Sequence, residues 1–136
     1  MHPRTLLIGA LLLLASALTV AQSPAPAGPA VLEIIIVETG TNVPAAVPKL
    51  VEMMKRANGI AQKMGSHGKA RLWSMVWAGP NAGHFVIAVE SPNLGVVATD
   101  GAKMQMSPEW QKMVADFSAA GFKVVSQSLA MEVPTS

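Results

Sequence analysis

The run Val31 to Val37 constrains this chain more than any other segment. A nearly unbroken β-branched stretch with one acid inside it, Glu33, suits a central strand buried on both faces. A central strand needs neighbours on both edges and a cover, and the following residues are patterned to supply them. Asn42 to Pro48 is turn chemistry, after which Val47, Leu50, Val51, Met54, Ala57, Ala61 and Met64 recur at helical spacing. The spacing predicts a helix over about Val47 to Met64, with Gly65 at its C-cap. Ala70 to Ala78 and His84 to Glu90 read as a hairpin joined by Gly79-Pro80-Asn81-Ala82-Gly83.

Leu94 to Gln105 is a weaker helical stretch that contains Gly95 and Gly101, and Ser107-Pro108-Glu109 restarts it. A hydroxyl at the N-cap, proline where no N–H is missed and an acid in the first turn all favour that restart. Trp110, Met113, Val114 and Phe117 form its inner stripe, and Gly121 ends it. Lys123 to Val133 is the last strand, stopped by Pro134. The order βαββαβ predicts an α+β, ferredoxin-like domain: a four-stranded antiparallel sheet with two helices on one face.

A chain of 136 residues has room for one such domain. With 51% hydrophobic and 13% charged residues it is not a disordered polymer. Part of the apolar excess lies at the N-terminus, where Arg4, the stretch Leu6 to Leu18 and the small-residue Thr19-Val20-Ala21 have the order of a secretory signal peptide. Cleavage is expected after Ala21, with Ala17 as the alternative site. A retained anchor is the competing reading, but Leu6 to Ala21 falls short of the ~20 residues a span needs. The division is then a leader over 1–21, a Pro/Ala-rich spacer over 22–30 and a domain over 31–134, in a protein that is periplasmic or secreted and has no stable membrane association.

The formal charge of +2 falls to +1 when Arg4 leaves with the leader, and no run of Lys or Arg is present. Nucleic acid is therefore not an expected partner. The absence of cysteine removes disulfides, thiolate nucleophiles and Cys-ligated zinc, so the fold rests on its core, with oligomerisation as a possible enlargement.

Helices cover one face of such a sheet, which leaves the other to be accounted for. If Trp77 opposes His84, then Met75 faces Val86, Trp73 faces Ala88 and Arg71 faces Glu90. Leu72, Ser74, Val76, Phe85, Ile87 and Val89 then lie under the helices. Arg71, Trp73, Met75, Trp77, His84, Val86, Ala88 and Glu90 form the uncovered face, too apolar to stay wet and too polar for an ordinary core. Burying two tryptophans there is worth several kcal/mol at ~25 cal/mol per Å². A homodimer with facing sheets meets that need.

The element order, Ala78-Gly79-Pro80-Asn81, the passage Val89-Glu90-Ser91-Pro92-Asn93-Leu94 and Ser107-Pro108-Glu109-Trp110-Gln111 together resemble the dimeric α+β barrel superfamily. Within it the chain is most similar to NIPSNAP-like proteins and, more distantly, to antibiotic biosynthesis monooxygenases, over Val31 to Val133. The resemblance implies a homodimer with a ligand-accessible cavity between sheet and helices or between sheets. The superfamily includes cofactor-free monooxygenases, haem-degrading enzymes and isomerases. The Asn, Trp and His set of the haem-degrading branch is not matched position by position, so no catalytic residue carries over, and no cofactor is expected.

The residues themselves offer several candidates. His84 suits a general base or a ligand-orienting group, and Glu33 a carboxylate that abstracts a proton; the alternatives are a solvated strand-end histidine and an acid reached by water. Trp73 and Trp77, with His84, Arg71 and Glu90, are the candidate ligand-binding set. The tryptophans serve equally as dimer core, and Glu90 pairs with Arg71 in the simpler reading. His67 falls in a solvated turn. Eight methionines beyond the initiator, including Met53-Met54 and Met104-Gln105-Met106, raise copper(I) binding as a further alternative, although Met54, Met64 and Met113 sit on apolar stripes and no metal site is assigned. No nucleophile elbow, phosphate loop, HExxH or EF-hand spacing occurs. Three functions follow: a dimer that binds a small apolar or flat ligand or serves as a non-catalytic dimer, a cofactor-free monooxygenase or isomerase, and a periplasmic methionine-based copper binder.

Overall fold

The computed structural model describes residues 28–40, 42–76 and 79–135. The expected leader, most of the spacer and Trp77 lie outside these residues. The elements are β1 (Val31–Glu38), α1 (Val43–Lys63), β2 (Lys69–Ser74), β3 (Phe85–Ser91), α2 (Leu94–Gln105), α3 (Pro108–Ala119) and β4 (Lys123–Met131). The four strands form an antiparallel sheet in the order β2-β3-β1-β4, an α+β, ferredoxin-like arrangement with β1 in the interior.

The helix expected from about Val47 begins at Val43. Asn42 accounts for the earlier start: its side-chain Oδ1 accepts from the Ala45 N–H and its carbonyl from the Ala46 N–H. Pro44 lies in the first turn, where no N–H is needed, and Pro48 forfeits a single ladder bond. The buried stripe is also rotated from the expected one. Ala46, Leu50, Ile60 and Ala61 are buried, whereas Val47 and Val51 are each 37% exposed. The C-terminus closes as a Schellman motif: Ser66 N donates to Ala61 O, Gly65 N donates to Gln62 O, and Gly65 takes a positive φ of 69°.

The second helical region is two helices. Ser107, held extended before Pro108, breaks α2 from α3 and accepts from Trp110 N as the cap of the latter. Ile35, Val37, Ala46, Leu50, Phe85 and Phe122 make the core, with Leu72, Ile87, Phe117 and Val124 packed against it. Phe117 and Phe122 meet at 5.2 Å between ring centroids. This core lies toward one end of the sheet and on one side of it. The expectation that β1 is buried on both faces is therefore corrected: Val31, Ile35 and Val37 are buried, while Leu32, Ile34 and Ile36 are half-buried within the protomer.

The hairpin register also differs from the expected one. Trp73 opposes Val86, Arg71 opposes Ala88 and Lys69 opposes Glu90, a shift of two residues. The cause is a longer connection. β2 ends at Ser74, Met75 N donates to His84 O at 2.9 Å, Gly83 N donates to Met75 O at 3.0 Å, and a 3₁₀ turn over Gly79–Asn81 fills the loop. Because side chains alternate with a period of two, the shift leaves Arg71, Leu72 and Trp73 on their expected faces, but Val76, expected under the helices, lies past the end of β2 and is 76% exposed.

Candidate functional site

Across the uncovered side of the sheet, the register sets side chains in rows. Lys69, Glu90, Leu32 and Ala130 form one row, Arg71, Ala88, Ile34 and Ser128 the next, and Trp73, Val86, Ile36 and Ser126 a third. Met75 and His84 follow beyond Trp73, on the side where Glu38 opposes Lys123. Leucine, isoleucine and valine at the centre and charges at the ends make an apolar field with a polar rim. Trp73 is 56% exposed, far more than a tryptophan in a finished core. Arg71 Nη2 lies 3.7 Å from Glu90 Oε2, a diagonal ion pair along the rim. Both side chains are more than half exposed, so the pair itself adds little stability.

Of the sequence-derived site residues, Trp73, Arg71, Glu90 and His84 share this face. Trp77 lies outside the described residues. Glu33 does not join them. It pairs in register with Val89 and Leu129, which places it on the helix-covered side, where its carboxylate accepts a short hydrogen bond from Gln127 Nε2. His84 and Glu33, the two candidates for proton transfer, therefore do not meet in one site: they stand on opposite faces of the sheet. Glu33 ties β1 to β4 under the helices. The β1 contribution to the open face, Leu32, Ile34 and Ile36, was missing from the sequence-derived set, because a run apolar on both faces carries no signal for which positions look outward.

A second polar group lies at the far end of the sheet. Asp100 on α2 is 6% exposed, and its Oδ2 accepts from Ser66 Oγ and from His67 N, each at 2.8 Å. Ser66 Oγ in turn accepts from Gly68 N. The His67 ring stays exposed, 3.9 Å from the same carboxylate oxygen. These bonds fix the chain between α1 and β2 against α2, a positioning role that leaves the imidazole in solvent.

On the outer surface, Arg56, Gly59, Ile60, Lys63, Glu109 and Lys112 line a groove of about 350 Å³ between α1 and α3. Arg56 Nη1 donates to Asp116 Oδ2 at 2.6 Å and Lys112 Nζ lies 3.1 Å from the same oxygen. The Arg56 hydrogen bond, seconded by Lys112, holds the Asp116 carboxyl below its ordinary range. A lowered folded-state value means that this group's contribution is present above the unfolded pKa and is lost as pH falls through the folded one. In Arg56→Ala, NMR titration of Asp116 is expected to move its midpoint upward toward the ordinary carboxylate range; an unchanged midpoint would show that the ion pair is not formed in solution.

Among the described residues no cluster of three or more His, Asp or Glu side chains is placed to hold a metal ion. No protein-family model and no curated protein matches the chain.

Proposed function

We propose that this is an exported homodimeric protein of the dimeric α+β barrel type, whose two open sheet faces pack together and hold a small apolar or flat ligand between them without catalysis by the protein. The observation that carries the reading is the field of Leu32, Ile34, Ile36, Val86 and Ala88 with a half-exposed Trp73, on the side of the sheet that the helices leave uncovered. Such a patch, rimmed by charges, has the anatomy of an interface. Each sheet presents the same residues, so a two-fold axis makes the contact self-complementary. His84 and Met75 at the margin of the patch supply a polar and a polarizable group to a ligand lying against Trp73.

The catalytic alternative takes second place because its acid and its imidazole, Glu33 and His84, stand on opposite faces. The measurement is tryptophan fluorescence in a Trp110→Phe background, with a flat apolar dye as the probe. Dye binding is expected to quench the emission, and His84→Ala to weaken binding several-fold while His67→Ala leaves it unchanged. Equal effects from the two histidines would place the ligand elsewhere.

A further inference from the structure

The two edges of the sheet are finished differently. The β2 edge is six residues long, carries Lys69 and Arg71, and has its Ala70 carbonyl capped by Asn58 Nδ2 of α1 at 3.2 Å. Length, charge and cover are the usual means by which a sheet edge is closed to further strands. The β4 edge is longer, carries its one charge at its first residue, Lys123, and has no cover among the described residues. It runs for nine residues, and between Lys123 and Glu132 it holds neither a charge nor a proline nor a glycine. Among the described residues its hydrogen bonds go to β1 and to Ala30 just before it. A bulge displaces the end near Val125, which leaves Ser126 to Met131 as regular strand that no other described residue covers.

We propose that the β4 edge pairs antiparallel with β4 of a second copy of this chain, joining two four-stranded sheets edge to edge. The charges at the strand's ends select this partner and direction. Lys123 opens the strand and Glu132 follows it, so a two-fold near Gln127 and Ser128 carries Lys123 of each strand to the Glu132 end of the other. Parallel pairing brings like charges together instead. The outward N–H and C=O groups of β4 supply the ladder, and the uncharged middle meets itself without repulsion.

This contact is independent of the face-to-face one, and the test separates them by working in the Trp73→Glu background, where the face contact is removed. Sedimentation of that variant is expected to show a residual, concentration-dependent dimer. Lys123→Glu or Glu132→Lys added singly should raise its dissociation constant about tenfold, since each change removes two exposed ion pairs from a symmetric dimer. Lys123→Glu with Glu132→Lys together should restore it, a rescue that loss of the intramolecular Lys123 to Glu38 apposition cannot give. The chain has no cysteine, so Ser128→Cys in the same background reports directly. It should form a disulfide dimer on mild oxidation, while Asn58→Cys at the covered edge should not. A Trp73→Glu protein that stays monomeric at all concentrations and gives no Ser128→Cys dimer overturns the edge contact. Charge reversals that act additively, without rescue, overturn its antiparallel register.

Discussion

Trp73→Glu is expected to turn a dimeric protein into one at least a hundredfold weaker in face-to-face association, with the protomer still folded. Trp73 sits on the edge strand β2 and is 56% exposed, so little of the protomer's own packing depends on it. Its value lies in what the second sheet covers. An unpaired carboxylate in a dry contact costs several kcal/mol, and a symmetric interface incurs that cost twice. Each 1.4 kcal/mol is a factor of ten in dissociation constant. The nearest cation on the same face is Arg71, two positions along the strand and already paired with Glu90, so the new charge has no compensation at hand. Trp73→Phe keeps the apolar area and should keep the contact. Light scattering that finds the wild type monomeric, or a Trp73→Glu protein that associates as the wild type does, would remove the face-to-face reading.

The same residue shows what was legible in the sequence. Period-two alternation assigned Trp73 to the uncovered face and Leu72 to the core side, and the structure has both there, although the hairpin is paired two residues away from the expected register. The register itself was not legible because Met75-Val76-Trp77-Ala78 is as apolar as a strand, and the turn that ends β2 at Ser74 is set by Gly79 and Gly83, both at positive φ. Glu33 was illegible for a different reason. In a strand apolar on both faces, no pattern tells odd positions from even ones, and only its pairing with Val89 and Leu129 fixes the side. The Asp100 to Ser66 contact spans 34 residues and has no local signal at either end. Caps were the easiest features to read, since Ser107-Pro108-Glu109 and Gly65 act through their own backbone.

The rotation of α1 has the second large consequence, and Leu50→Ala against Val51→Ala decides it. The apolar spacing placed both residues on one stripe, but Leu50 is fully buried against Ile35, Val37 and Phe85, whereas Val51 is 37% exposed. Truncating Leu50 removes the transfer free energy of its branched side chain and leaves a hole that the surrounding strands cannot close, about 3 kcal/mol in total. For a domain of this size that lowers Tm by roughly 15 °C. Truncating Val51 removes atoms already in water, so it should change stability by no more than about 0.5 kcal/mol. Both variants must be compared at one protein concentration, because an associating protein has a concentration-dependent Tm. Since α1 carries both Leu50 and the Asn58 that caps the β2 edge, its rotation also fixes which edge of the sheet is closed. Similar losses in Leu50→Ala and Val51→Ala would mean that the helix presents the stripe expected from spacing alone, and the cover over β2 would then have to be redrawn.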